Sequence, residues 1–267
     1  MLGLIGREIE EISYMSQEFP VPPELRGWSW YMKPVRPRYR LGLGVSNVAY
    51  YSCCPTEAIE SRQGVRGPSR SMALGAAVHE LFRLVVTEFQ WLTSLRPDPL
   101  EAADRLLGLG HYLRVAKDYG LGYEDAAGLR DLERALAYSL AADELAQRLL
   151  GLSAWSRAPW VSELTVDGSL LGLSRRLRPD ALLGNVIVEV KYARPRNWHR
   201  VQLAGYALAL ESRLMVPFNF GALIYVTLSP PGFWVSGVYL DEDLRYTFLR
   251  ARDSMAEELA ARAPAGN

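Results

Sequence analysis

The stretch VIVEVK at residues 186–191, an apolar run that ends in two charges, constrains the fold most. Its valines and isoleucine are typical of a buried β-strand. Because side chains alternate along a strand, Glu189 and Lys191 project from one face, whereas Val188 and Val190 project from the other. Such a charged pair at the end of a strand is usually a structural ion bridge, and the pair alone favours that interpretation.

The first 150 residues have the pattern of helices. Apolar residues recur at three- and four-residue intervals from about 71 to 92, which predicts a long and largely buried helix. Residues 98–150 continue in helical style, whereas residues 17–41 are rich in Pro, Trp and Arg and suit an extended arm on the surface. The N-terminal region is therefore predicted to be mainly helical.

The pattern changes near residue 158. Apolar and polar residues then alternate around turn signals at Asp167–Gly168 and Gly184–Asn185, which predicts a meander of three strands. A helix, two strands and a final helix follow. The fold class predicted is α/β, with a mixed central sheet flanked by helices. We expect an arm with short helices over 1–70, a helical region over 71–157 and the sheet with its helices over 158–267.

Thirty basic and thirty acidic residues cancel, so the net charge neither favours nor excludes nucleic acid as a partner. Arginines nevertheless cluster at 36–40, 174–180 and 193–200, and the last two clusters flank the strand at 186–191. One arginine-rich loop is usually a solvated surface, but clusters on both sides of one strand favour a concentrated positive site. His199 lies in the last cluster, where a solvated surface histidine is the favoured interpretation.

The longest apolar runs fall short of the roughly 18 residues that a membrane span needs. The N-terminal segment also lacks the basic start and the long apolar stretch of a secretion signal. We therefore expect a cytoplasmic protein with no membrane partner.

A second carboxylate is expected beside Glu189. Asp180 precedes it by nine residues, across a turn that folds one strand back on the next. Two carboxylates brought together repel and raise each other's pKa, so such a pair is usually retained to hold a cation. Mg²⁺ or Mn²⁺ suits these ligands, because both ions favour oxygen donors.

The lysine in the strand is unusual for this chain, whose only lysines are Lys33, Lys117 and Lys191. Lysine differs from arginine in carrying a compact point charge. Beside a metal-bound water, Lys191 could orient the nucleophile or stabilise charge on a phosphate.

Asp180 in RPD, together with Glu189 and Lys191, resembles the PD-(D/E)xK nuclease superfamily. Two further patterns resemble its RecB-like branch, namely G-x-x-x-H at 75–79 and Q-x-x-x-Y at 202–206. Taken alone, a histidine on an apolar helix is more often a core residue.

Within that branch, PELRGWSW at 23–30 and LGVSNVAYYSCCPT at 43–56 resemble the archaeal branch of the CRISPR-associated RecB-like exonucleases that work in spacer acquisition. The resemblance implies that His79, Asp180 and Glu189 ligate the metal, with the backbone carbonyl of Val190 as a further donor. It implies that Asp180, Glu189 and Lys191 are catalytic. The supporting or DNA-contacting residues that it implies are Gln202, Tyr206, Arg178, Arg194 and Arg196.

Members of that family bind an iron–sulfur cluster through one cysteine before the nuclease core and three after it. Cys54 matches the first position, but its neighbour Cys53 is the only other cysteine in the chain. A cluster normally needs four ligands. We therefore expect no cluster within the single chain, and we expect both cysteines to be small and mostly buried.

The resemblance implies a metal-dependent deoxyribonuclease that trims single-stranded ends or overhangs of captured DNA before CRISPR integrase subunits insert it. One alternative is a non-cutting DNA-binding or scaffolding subunit of the acquisition complex. Another is a RecB-like repair or restriction nuclease without a CRISPR role. A metal-binding titration with matched cleavage assays distinguishes the nuclease from a non-cutting subunit. A pull-down of partners distinguishes a CRISPR nuclease from a repair or restriction nuclease.

Overall fold

The computed structural model describes residues 1–62, 69–95, 98–150 and 160–262. Ten α-helices and five β-strands lie within these ranges, and their bounds are given in chain order. The helices are α1 Leu2–Ile12, α2 Met15–Glu18, α3 Val45–Tyr51, α4 Pro55–Arg62, α5 Arg70–Leu95, α6 Pro99–Leu109, α7 His111–Asp118, α8 Tyr123–Leu150, α9 Asn197–Leu214 and α10 Glu242–Arg262. The strands are β1 Trp160–Ser162, β2 Ala181–Leu183, β3 Val186–Lys191, β4 Phe220–Leu228 and β5 Pro231–Tyr239.

The strands form one mixed sheet in the order β1-β2-β3-β4-β5. Only β3 and β4 pair in parallel, and helix α9 is the crossover between them, because parallel neighbours cannot be joined by a tight turn. The remaining pairs are antiparallel. The predicted α/β class, the mixed sheet and the mainly helical N-terminal region are confirmed.

Helices cover both faces of the sheet, and β3 is buried on both. On one face α9 packs over Ile187 and Leu223, and α3 and α10 pack against α9. On the other face α5 packs over β3, and α8 and α1 pack over β4 and β5. This explains why β3 has an almost unbroken apolar sequence, since a strand covered on both sides has no solvent face.

The strand predictions before residue 181 are only partly right. The segment expected to form the second strand contains a 3₁₀ turn at Ser169–Leu171, and β2 begins only at Ala181. The turn predicted at Asp167–Gly168 is flanked by a single bridge between Val166 and Leu177. The alternation of polar and apolar residues predicted a longer strand than the structure has. A strand also needs a pairing partner, which alternation alone does not reveal.

The N-terminal arm is held by the helix layer around α9 and contains 3₁₀ turns at Pro23–Leu25 and Gly27–Ser29, so the expectation of an extended arm on the surface is only partly right. Gly27 approaches α9 so closely that a Cβ at this position would lie 1.9 Å from the carbonyl oxygen of Leu208. Leu25 and Val35 of the arm are buried in the same core. The three-part division of the chain stays a prediction, and its boundary at 157/158 lies outside the described residues.

No helix in the described ranges combines the length and apolarity needed to span a membrane.

A buried ion network fixes the C-terminal end of α9. The Glu211 carboxylate is fully buried and accepts from Arg245 Nη1 at 2.8 Å, Arg245 Nη2 at 2.9 Å and Arg26 Nη1 at 2.9 Å. It also accepts from the backbone N–H of Gly27 at 2.8 Å and of Phe218 at 3.1 Å. A buried charge is tolerated only with such complete pairing.

We predict that Glu211→Gln costs about 3–5 kcal/mol of unfolding free energy, because it leaves the Arg245 guanidinium buried without a counter-charge. Denaturant unfolding measures the change. The matched control is Glu257→Gln, which removes an exposed ion pair with Arg38 and should cost at most about 1 kcal/mol. Equal destabilisation by the two variants would contradict a structural role for the Glu211 network.

Candidate active site

Strand β3 places Glu189 and Lys191 on the face covered by α9, whereas Val188 and Val190 pack on the opposite face. This is the alternation expected of the sequence. The Glu189 residue is 2% exposed, although it is ionisable. A carboxyl group so deeply buried needs polar partners, and three elements supply them.

Glu189, Lys191 and Gln202 form a closed triangle of contacts. Lys191 Nζ donates to Glu189 Oε2 at 2.8 Å and to Gln202 Oε1 at 3.0 Å. Gln202 Nε2 donates to the same Glu189 Oε2 at 2.8 Å. Gln202 lies in the second turn of α9, the helix that directly follows β3, so the crossover places its amide beside the strand end. The triangle restricts Lys191 to one position.

Asp180 stands at the start of β2, across the turn at Gly184–Asn185. Its Oδ2 accepts from the backbone N–H of Val190 at 2.8 Å, and its Oδ1 lies 2.8 Å from Nδ1 of His79. Its own backbone N–H contacts Glu189 Oε1 at 3.3 Å. The turn residue Gly184 has φ +60, a left-handed conformation that suits glycine. The hairpin therefore brings Asp180 to Glu189, as the sequence predicts.

The late start of β2 explains why Val190 contacts Asp180. Pairing between β2 and β3 stops at Ala181 and Val188, so Val190 has no strand partner on that side and donates to Asp180 instead. The N–H and C=O of one residue lie on the same edge of a strand. The Val190 carbonyl therefore faces the edge where Asp180 lies.

The charges of the cluster shift two pKa values. Burial, and then the nearby charge of Asp180, raise the pKa of Glu189 to about 7, and the attraction of Lys191 and His79 offsets only part of this. Burial lowers the pKa of His79, but the charge and the hydrogen bond of Asp180 outweigh it, so the pKa is raised overall. Two carboxylates, of Asp180 and Glu189, thus meet the Lys191 ammonium group and the His79 imidazole at one strand end.

Tyr206, one helical turn beyond Gln202, is only 7% exposed, and its hydroxyl donates to the backbone carbonyl of Arg178 at 3.0 Å. It therefore fixes the segment that leads into Asp180. The Arg178 side chain is exposed and lines a cleft beside Asp180. Arg194 and Arg196 are also exposed, in the loop between β3 and α9.

The cleft beside Asp180 has a volume of about 300 Å³. His79, Asp180, Val190 and Arg178 line it, together with residues that the sequence patterns did not select. These additional residues include Glu80, Arg83, Tyr119, Trp160 and Glu163. Arg83 lies one turn after His79 on α5, so helical spacing from the histidine could have indicated it.

Glu163 also has φ +59, which is uncommon for a residue other than glycine, and its carboxylate lies 3.6 Å from Arg83 Nε.

The donor atoms at the strand end fit Mg²⁺ or Mn²⁺ in type. They are carboxylate oxygens of Asp180 and Glu189, the Val190 carbonyl and an imidazole nitrogen of His79. In the described ranges no group of three or more His, Cys, Asp or Glu side chains converges as in a formed metal site. His79 Nδ1 lies beside Asp180 Oδ1, and Glu189 Oε2 accepts from Lys191 Nζ.

A family model described as "CRISPR-associated exonuclease Csa1" matches residues 1–266. The chain belongs to this family. A relative named CRISPR-associated exonuclease Csa1 from Thermoproteus tenax is 32% identical over 251 residues, which cover 90% of this chain and 84% of the relative. A relative with the same name from Saccharolobus solfataricus is 30% identical over 244 residues, which cover 87% and 82%.

The cysteine pair of this family member lies between α3 and α4, with Cys53 exposed and Cys54 partly buried. The expectation that both are mostly buried is therefore wrong for Cys53. The two sulfur atoms lie 2.6 Å apart.

His199 is 1% exposed, so the interpretation of a solvated surface histidine is wrong. It packs between Trp198 and Tyr225, with Nδ1 3.1 Å from the Tyr225 hydroxyl. Burial, followed by the charges of Lys191 and Arg196, lowers its pKa to about 4. The arginine-rich surroundings misled the sequence argument, because α9 turns this one side chain inward.

We predict a stability change that depends on pH at His199. Its folded-state pKa lies below the unfolded value of 6.5, so its stabilising effect is present above pH 6.5 and is lost as pH falls towards 4. The His199→Gln variant should be less stable than the parent protein at pH 7.5. This difference in stability should shrink as the pH falls from 6.5 towards 4. Thermal unfolding across this range measures it. A difference independent of pH would contradict a neutral, buried His199.

Proposed function

We propose that this chain is a metal-dependent deoxyribonuclease, an exonuclease that trims single-stranded ends of captured DNA during CRISPR spacer acquisition. The main support for this proposal is the contact of Lys191 with Glu189 and Gln202. This contact lies beside Asp180 and His79. Family membership supports the class, because the matching relatives are named exonucleases. In this proposal the sheet and its flanking helices are a PD-(D/E)xK core.

His79, Asp180, Glu189 and the carbonyl of Val190 would hold Mg²⁺ or Mn²⁺. When bound, such a cation would lower the pKa of a coordinated water and offset negative charge on the scissile phosphate. Asp180 would keep its orientation through the Val190 N–H, which holds Oδ2, so that Oδ1 faces His79. The protein thus positions its donors through backbone contacts.

Lys191 would supply a second positive charge, in addition to that of the metal. Its ammonium group is anchored by Glu189 and Gln202, and the lysine side chain is 12% exposed. A fixed cation aimed at a phosphate stabilises the charge that develops as the bond breaks. Gln202 positions Lys191, and Tyr206 positions the backbone before Asp180.

The DNA would lie across the exposed arginines around this strand end. Arg178 lines the cleft beside Asp180, and Arg194 and Arg196 stand on the loop that follows Lys191. Arginines placed in this way bind phosphates through paired N–H donors. The partners proposed are DNA with single-stranded ends or overhangs, and CRISPR integrase subunits.

We also propose that the single chain carries no iron–sulfur cluster. The sequence contains only Cys53 and Cys54, and a cluster normally takes four ligands. Iron analysis of the purified protein, with its visible spectrum, tests this. Iron in stoichiometric amount would overturn it and would point to cysteines shared between chains.

Lys191→Ala and Asp180→Ala should each lower Mn²⁺-dependent cleavage of DNA by roughly 100-fold or more, because each removes a charge fixed at the strand end. The assay uses single-stranded, duplex and overhang substrates, with Mg²⁺ and with chelator. Lys117→Ala is the matched control, since this lysine is exposed on α7.

If both variants cut as fast as the parent, the site assignment is wrong. If the parent binds DNA and Mn²⁺ but cuts none of the substrates, the chain is a binding subunit that retains the site.

A further inference from the structure

A second cleft lies outside the candidate active site, between the N-terminal arm and α10. It has a volume of about 490 Å³. We call it the arm cleft, and its lining residues include Lys33, Arg36, Arg38, Tyr246, Arg250 and Asp253. None of the candidate site residues lines it.

The arm cleft carries an excess of positive charge in a chain whose formal net charge is zero. Glu257 pairs with Arg38, and Asp253 pairs with the buried Arg252. Lys33, Arg36 and Arg250 are exposed, and no carboxylate in the described ranges lies within ion-pair distance of them. The arm cleft therefore has three positively charged side chains in addition to those in its ion pairs. Concentrated charge of this kind attracts polyanions.

A buried arginine makes the wall of the arm cleft rigid. Arg252 is 2% exposed and donates to the carbonyl of Val35 at 2.7 Å. It also donates to the carbonyls of Pro34 at 3.3 Å and Arg36 at 3.5 Å. Three successive carbonyls of the arm therefore turn inward to one guanidinium, while the side chains of Lys33 and Arg36 remain at the surface. The cations stand on an ordered backbone, which reduces the entropy lost on binding.

An exposed aromatic ring lies beside these cations. Tyr246 is 47% exposed on α10 and also borders a neighbouring cleft with Arg250 and Tyr51. The residue before Tyr51 packs its ring against Trp198 at a centroid distance of 5.4 Å. Trp198 lies in the first turn of α9, the helix whose Gln202 holds Lys191. Tyr50 and Trp198 are both partly buried, and their contact packs α3 against α9.

We propose that the arm cleft binds the phosphates of a single-stranded DNA segment that lies outside the cleavage site, with one base stacked on Tyr246. Cations that follow a backbone and an aromatic ring that accepts any base are the usual elements of binding to single strands. This inference rests on the proposed function only in taking DNA as the ligand. It assigns the arm cleft a holding role, separate from the cutting residues.

The test measures binding without cutting. In the Lys191→Ala background, a labelled oligothymidine is titrated at several salt concentrations, and the slope of log affinity against log salt is determined. The triple variant Lys33→Gln, Arg36→Gln, Arg250→Gln should lower the magnitude of that slope by about 2, because each phosphate contact to a single strand contributes about 0.7. Tyr246→Ala should weaken binding by about tenfold and leave the slope unchanged.

The matched control is the triple variant Arg105→Gln, Arg130→Gln, Arg148→Gln, which removes the same charge from exposed or half-buried positions on α6 and α8. It should leave the slope within about 0.5 of the background protein. Equal slopes for the two triple variants would overturn the inference, and would leave the arm cleft as a surface for an acidic protein.

The two proposals fail separately. If the parent cleaves DNA fully and the arm-cleft variant does not change binding, only the proposal for the arm cleft is overturned. An altered slope in a protein whose parent never cuts supports the arm cleft and overturns the nuclease.

Discussion

The Glu189 carboxyl group is buried in a sheet, beside a second carboxylate on Asp180. A buried charge without partners is too costly to keep, so surrounding elements must bring polar atoms to it. Helix α9 brings Gln202, the strand itself brings Lys191, and the hairpin brings the backbone N–H of Asp180. The late start of β2 at Ala181 and the parallel crossover between β3 and β4 both contribute to this arrangement.

Helix α9 is fixed at both ends by buried polar contacts. Near its start, Gln202 bonds to Glu189 and Lys191, and near its end Glu211 is held by Arg26 and Arg245. The N-terminal arm and α10 therefore determine the position of the helix that orients the lysine. In this way residues more than 180 positions apart in sequence contribute to one site. The same arm and helix form the walls of the arm cleft.

The local patterns were sufficient for the strand and its hairpin, because alternation along β3 and the turn at Gly184 depend only on neighbouring residues. The spacing of Gln202 and Tyr206 likewise placed both on one face of α9. Burial of His199 and the Glu211 network could not be predicted, because both depend on which distant elements pack against α9. Glu163 and Arg83 meet for the same reason, since α5 and the end of β1 are separated by about 80 residues of sequence.

A crystal structure determined with Mn²⁺, using its anomalous scattering to locate the ion, tests the central claim most directly. We expect one Mn²⁺ position within coordination distance, about 2.0–2.4 Å, of carboxylate oxygens of Asp180 and Glu189, the Val190 carbonyl and a nitrogen of His79. Lys191 should remain in contact with Glu189 and Gln202. An ion bound elsewhere while the protein cleaves DNA, with this strand end holding no cation, would contradict the account.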